Sequence, residues 1–113
     1  MWVPTPSLAV RVRDELAAAG IDALQATAFR HVAISLRTAR PTIELAVIQL
    51  AALSDADIAT LVATRSAGYT GPIVGVGAAH AIPARSRLML GMEVVADVDG
   101  YVRDVAMAIR ARG

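Results

Sequence analysis

A chain of 113 residues, 56% of them hydrophobic, is long enough for one domain around one continuous core and too short for a second. Eleven basic residues against ten acidic ones leave a formal charge of +1, which gives no field able to attract phosphate backbones or anionic lipid, so neither nucleic acid nor membrane is expected as a direct partner. Cysteine is absent and every basic residue is arginine, which excludes disulfide frameworks, thiolate chemistry, cysteine-based zinc sites and any reaction that needs lysine.

The start, Met1-Trp2-Val3-Pro4-Thr5-Pro6, has no basic stretch followed by an apolar run. Nowhere does the chain reach the roughly 18 uncharged apolar residues that a membrane span needs, and a cytoplasmic location is expected. Only Met1 to Val3 are left for a first strand before Pro4. Ser7 is then expected to cap a helix that carries Leu8, Val12, Leu16 and Ala19 on one side and Arg11, Asp14 and Glu15 on the other, until Gly20 ends it. Ala23 to Ala26 reads as a second strand. Phe29, Val32, Ala33 and Leu36 return to helical spacing before Arg40-Pro41 breaks the pattern.

Ile43 to Leu53, interrupted only by Glu44 and Gln49, is apolar on both faces, as a central strand covered by helices on both sides must be. Ser54 or Asp55 caps a third helix with Ile58, Leu61 and Val62 inward and Gly68 at its end. Gly71-Pro72 leads into a fourth strand, Ile73 to Val76. Pro83 opens a short helix that ends at Gly91, Val94 to Ala96 reads as a buried fifth strand, and Val102, Val105, Ala106 and Ile109 mark a terminal helix ending at Gly113. Alternating strands and helices predict one α/β domain over residues 1–113. Its expected form is a flavodoxin-like, doubly wound parallel sheet of five strands in the order 2-1-3-4-5, with helices on both faces and a short first strand.

In order, lengths and punctuation the chain resembles the response-regulator receiver family: Gly20 after the first helix, Pro41 before the third strand, Pro72 before the fourth and Gly91 before the fifth. The resemblance spans nearly all of the chain except the front of the first strand. It implies an aspartate phosphoacceptor at the end of strand three, an acidic pair after strand one that holds Mg²⁺, a hydroxyl residue after strand four and a lysine after strand five. Those positions fall on Gln49, on Val3 and Pro4, on Gly77 and on Val98. None can do the implied chemistry, and the chain is similar to a degenerate, pseudo-receiver member. Gln49 itself is expected to donate hydrogen bonds to nearby backbone carbonyls instead of mimicking a phosphorylated state.

Other candidates reduce to structural roles. Gly75-Val76-Gly77 follows a strand as a dinucleotide-binding turn does, but His80 stands at the third glycine position, so close packing or a turn is the expected role. Asp97 and Asp99 lie where ligands of open α/β sheets gather, and Asp99 is expected to cap the last helix. Asp55 and Asp57 suit the first turn of the third helix. His31, His80 and the serines Ser7, Ser35, Ser54, Ser66 and Ser86 lack ligand, triad or nucleophile-elbow spacing. No catalytic residue, metal or cofactor is expected.

Arg85, Arg87, Met89, Met92, Tyr101 and Arg103 bring interface-type side chains to the last third of the chain. In receivers the surface of helix four, strand five and helix five docks partners or forms dimers, which the resemblance extends to these residues. The leading expectation is thus a signalling module that cannot be phosphorylated and acts by protein–protein interaction, as a homodimer, on a signalling or output protein, or both. The alternative is a flavodoxin-like domain that binds a small ligand or nucleotide through Gly75, Gly77, Asp97 and Asp99.

Overall fold

The computed structural model describes residues 1–23, 25–26, 28–38, 45–69, 71–96 and 101–112. Its helices and strands in chain order are α1 Pro6–Ala18, α2 Phe29–Thr38, β1 Ala46–Gln49, α3 Asp55–Ser66, β2 Ile73–Val76, α4 Ala84–Leu90, β3 Glu93–Val95 and α5 Tyr101–Arg112, alternating from α2 onward. Among the described residues no helix is long and apolar enough to cross a membrane.

The three strands form one open parallel sheet in the order β1-β2-β3, with Val47 opposite Val74 and Gly75 opposite Val94. They correspond to the third, fourth and fifth strands expected from the sequence. The first expected strand is reduced to a single parallel bridge between Trp2 and Ile48. In it the Trp2 N–H donates to the Val47 carbonyl at 2.8 Å and the Gln49 N–H to the Trp2 carbonyl at 3.0 Å. On the other side of this segment the Ala26 N–H donates to the Met1 carbonyl at 2.8 Å, while Leu24, in the middle of the expected second strand, lies outside the described residues.

Alternation along the strands divides the core into two layers. Val47, Val74, Val76 and Val95 point to one face, where Val12 and Leu16 of α1 and Val102 and Ala106 of α5 cover them. Ala46, Ile48 and Ile73 point to the other, against Phe29, Val32 and Leu36 of α2, Ile58 and Leu61 of α3 and Leu90 of α4. Trp2 joins the second layer, its ring edge-on to Phe29 at 5.2 Å. Helices therefore lie on both faces, with α1 against α5 and α3 between α2 and α4.

Several boundaries differ from the sequence reading for identifiable reasons. Thr5, not Ser7, is the N-cap of α1, because Pro6 takes the first helical position, where its fixed φ and missing N–H do no harm. The apolar run ending at Leu53 is not one strand: the chain leaves the sheet after Gln49 and turns through a 3₁₀ segment, Leu50–Ala52, that still buries Leu50. Its first members, Ile43 and Glu44, lie outside the described residues. The last strand begins at Glu93 and is an edge of the three-stranded sheet, with Glu93 exposed, Val94 half-buried and only Val95 buried. Ser54 caps α3 in a capping box with Asp57, and Gly91 ends α4 at φ +60°.

Candidate functional site

Parallel register brings the carboxyl ends of the strands to one edge, and with them most of the positions singled out by the receiver resemblance. Val3 follows the Trp2 bridge and is fully buried between the sheet and α1. Its carbonyl accepts from Gln25 Nε2 at 2.7 Å, and the buried Gln25 Oε1 has no hydrogen-bond partner among the described residues. Pro4 is exposed. Gln49, at the end of β1, is engaged at both ends of its amide: Oε1 accepts from the Thr5 N–H at 3.1 Å and Nε2 donates to Thr5 Oγ1 at 2.8 Å. The expected bonds to backbone carbonyls are thus replaced by a two-point clamp on the N-cap of α1.

Gly77 has φ +132° and donates its N–H to the Val95 carbonyl at 2.9 Å, so it is a turn that only glycine adopts without strain. Gly75 answers to packing, since a Cβ there would stand 2.6 Å from Leu50 Cδ2 and 2.7 Å from Met92 Sδ. Val98, Asp97 and Asp99 lie outside the described residues. Asp55 and Asp57 occupy the first turn of α3, and Asp57 accepts from the Ser54 N–H at 3.1 Å. His80 is exposed in a short 3₁₀ turn and His31 is exposed on α2. Among the described residues no group of three or more acidic or histidine side chains comes together that could hold a metal ion.

The opposite, amino-terminal end of β2 and β3 is organised by Arg65, a residue that hydrophobic spacing did not single out. Its Nε and Nη2 donate to the Leu90 carbonyl at the end of α4, Nε at 3.0 Å, and Nη1 donates to the carbonyls of Tyr69 at 2.9 Å and Gly71 at 2.7 Å. The guanidinium thereby joins the end of α4, whose last carbonyls lack intrahelical partners and carry the negative pole of the helix dipole, to the connection between α3 and β2. It also stands 5.3 Å from the centre of the Tyr69 ring. Burial holds the Tyr69 hydroxyl above its ordinary pKa near 10.0, against the opposing pull of Arg65, and that hydroxyl donates to the Pro72 carbonyl at 3.1 Å.

Beside this junction an open groove of about 390 Å³ runs between the end of α4, the start of β3 and Ile109 of α5. Leu88, 83% exposed, and Met89, 54% exposed, form its outer wall. Of the interface residues proposed from sequence, Arg85 and Arg103 are exposed, and Arg103 Nε meets Asp104 at 3.5 Å. Arg87 is half-buried, and its buried Nε has no hydrogen-bond partner among the described residues. Met92 is half-buried and packs into the core, not on the surface, because its sulfur fills the space that Gly75 leaves open. The Tyr101 side chain lies outside the described residues. Leu88, which sequence reasoning missed, is the most exposed large apolar side chain among the described residues; the signal was Leu88-Met89-Leu90 in a helix of 7 residues, of which only Leu90 is buried.

An open α/β sheet with helices on both faces is the class of protein that these observations define. No family model, curated protein or solved structure matches the chain.

Proposed function

We propose that the chain is a receiver-like module without phosphorylation chemistry that acts by binding protein at the end formed by α4, β3 and α5. The fuller architecture in this reading is a five-stranded sheet in the order 2-1-3-4-5, with Met1–Val3 as a shortened first strand between β1 and the segment around Ala26. Support comes from the Trp2 bridge to Ile48, the Ala26 to Met1 hydrogen bond, and the pairing of α1 with α5 on one face and of α2, α3 and α4 on the other.

The observation that carries the reading is the Gln49 clamp. At the position where a receiver carries its acceptor aspartate stands a neutral amide with both ends bonded to Thr5. An amide forms no acyl phosphate, and among the described residues no acidic cluster stands ready to hold a divalent cation. Signalling would then depend on surface complementarity, with partner binding shifting any conformational equilibrium in place of phosphate. The test is incubation with acetyl phosphate and Mg²⁺ followed by intact-mass measurement. An unmodified mass is expected, and a phosphoryl adduct on Asp or Glu overturns the proposal.

A further inference from the structure

On the reading just given, that the α4–β3–α5 end binds protein, we infer that its occupant is a second copy of the chain. A two-fold axis sets the two α4 helices antiparallel, with Leu88 and Met89 packed on their counterparts and Arg85 of each copy on Glu93 of the other. Arg85, Leu88 and Met89 stand at positions i, i+3 and i+4 of α4 and all three are exposed, whereas Leu90 is fully buried, so they form one outward stripe. The apolar pair is 83% and 54% exposed at the rim of the groove that Ile109 backs. Glu93 is also exposed and lines the same groove beyond the end of α4, where the chain turns at Gly91 into β3. Along α4 the surface therefore runs from a cation through an apolar pair to a carboxylate.

Such a row is complementary to its own inverse. Arg85 and Glu93 cancel, so the row has no net charge to draw a wholly acidic or wholly basic partner. Arg65, the other charged group on the groove wall, is held by the carbonyls of Leu90, Tyr69 and Gly71. A two-fold axis through the apolar pair exchanges the two ends of the row, which brings each cation to a carboxylate. Arg85 stands about one helical turn before the pair, Glu93 follows it after the turn at Gly91, and the long arginine side chain takes up the difference. Parallel packing would instead set Arg85 against Arg85. Glu93 has an interaction within its own chain, and a carboxylate with two oxygens accepts a further donor. Covering Leu88 and Met89 supplies the affinity, while the ion pairs at the rim set direction and register more than strength.

The test is analytical ultracentrifugation of the full chain from about 1 μM to about 1 mM, repeated on Leu88→Ser, Arg85→Glu and Glu93→Arg, with circular dichroism as the control for folding. The chain is expected to dimerise reversibly and Leu88→Ser to remain monomeric. Each charge reversal should raise the dimer Kd about tenfold or more, because it sets two like pairs across the axis. Mixing Arg85→Glu with Glu93→Arg should restore a dimer of one chain of each, since both pairs are then opposite in sign. Added salt should shrink the gap between the mixture and the single variants. A monomer at every concentration overturns the inference, and leaves the loss of phosphorylation chemistry, read by intact mass, untouched. A dimer indifferent to Leu88→Ser lies on another surface and overturns the binding face as well. A dimer that needs Leu88 but whose two charge variants fail to complement each other overturns the antiparallel pairing.

Discussion

Gln49 ties the end of β1 to the chain entering α1 with two hydrogen bonds. Gln49→Ala removes both bonds at a partly exposed site and is expected to destabilise by about 1 kcal/mol in urea denaturation. Gly75→Ala acts by overpacking, since its methyl would press on the buried Leu50 and on Met92, and a loss of about 1 to 3 kcal/mol is expected from the same measurement. Tyr69 gives a pH dependence with a definite sign. Its folded pKa is raised above 10.0 by burial, so the folded state keeps a proton that the unfolded chain releases. Stability from this group is fully present below pH 10 and is lost as pH rises through the folded value; alkaline unfolding of Tyr69→Phe should lack that component. Residue types were legible in the sequence, and the absence of lysine could be read without any alignment. The partner of Gln49 was not, because Thr5 is 44 positions away and only the register of Trp2 on Ile48 brings the two together.

At the scale of elements, helices were the easiest to read, since Phe29, Val32, Ala33 and Leu36 repeat at helical spacing and all are buried. Strand limits were harder. A continuous apolar run looks the same in a strand and in the 3₁₀ turn that follows β1, and periodicity carries no signal to separate them. The α3 cap was legible as Ser54 with an acid three residues on, and Ser54→Ala is expected to cost about 1 kcal/mol in thermal or urea unfolding. Arg65 was invisible to pattern reading because its partners are carbonyls, which every residue has. Its replacement by alanine strands the Leu90 carbonyl at the end of α4 and the Tyr69 and Gly71 carbonyls between α3 and β2 and is expected to destabilise by about 2 to 3 kcal/mol, with lysine recovering only part, since an ammonium cannot span all the acceptors.

At the scale of the whole molecule, the two ends of the sheet have separate characters. Among the described residues the carboxyl edge holds the buried Val3, the Gln49 clamp and the Gly77 turn, while the amino-terminal end carries the groove and the exposed side chains of α4. Binary pattern makes the two-faced α/β arrangement legible, but where a groove forms depends on where side chains of adjacent elements meet, and a single sequence does not show that. Beryllofluoride with Mg²⁺, followed by amide chemical shifts of the labelled chain, tests the proposed loss of phosphorylation chemistry at Gln49 most directly. The account predicts that the amides of Thr5, Gln49 and Gly77 stay where they are at every concentration; saturable, magnesium-dependent shifts of those amides would contradict it.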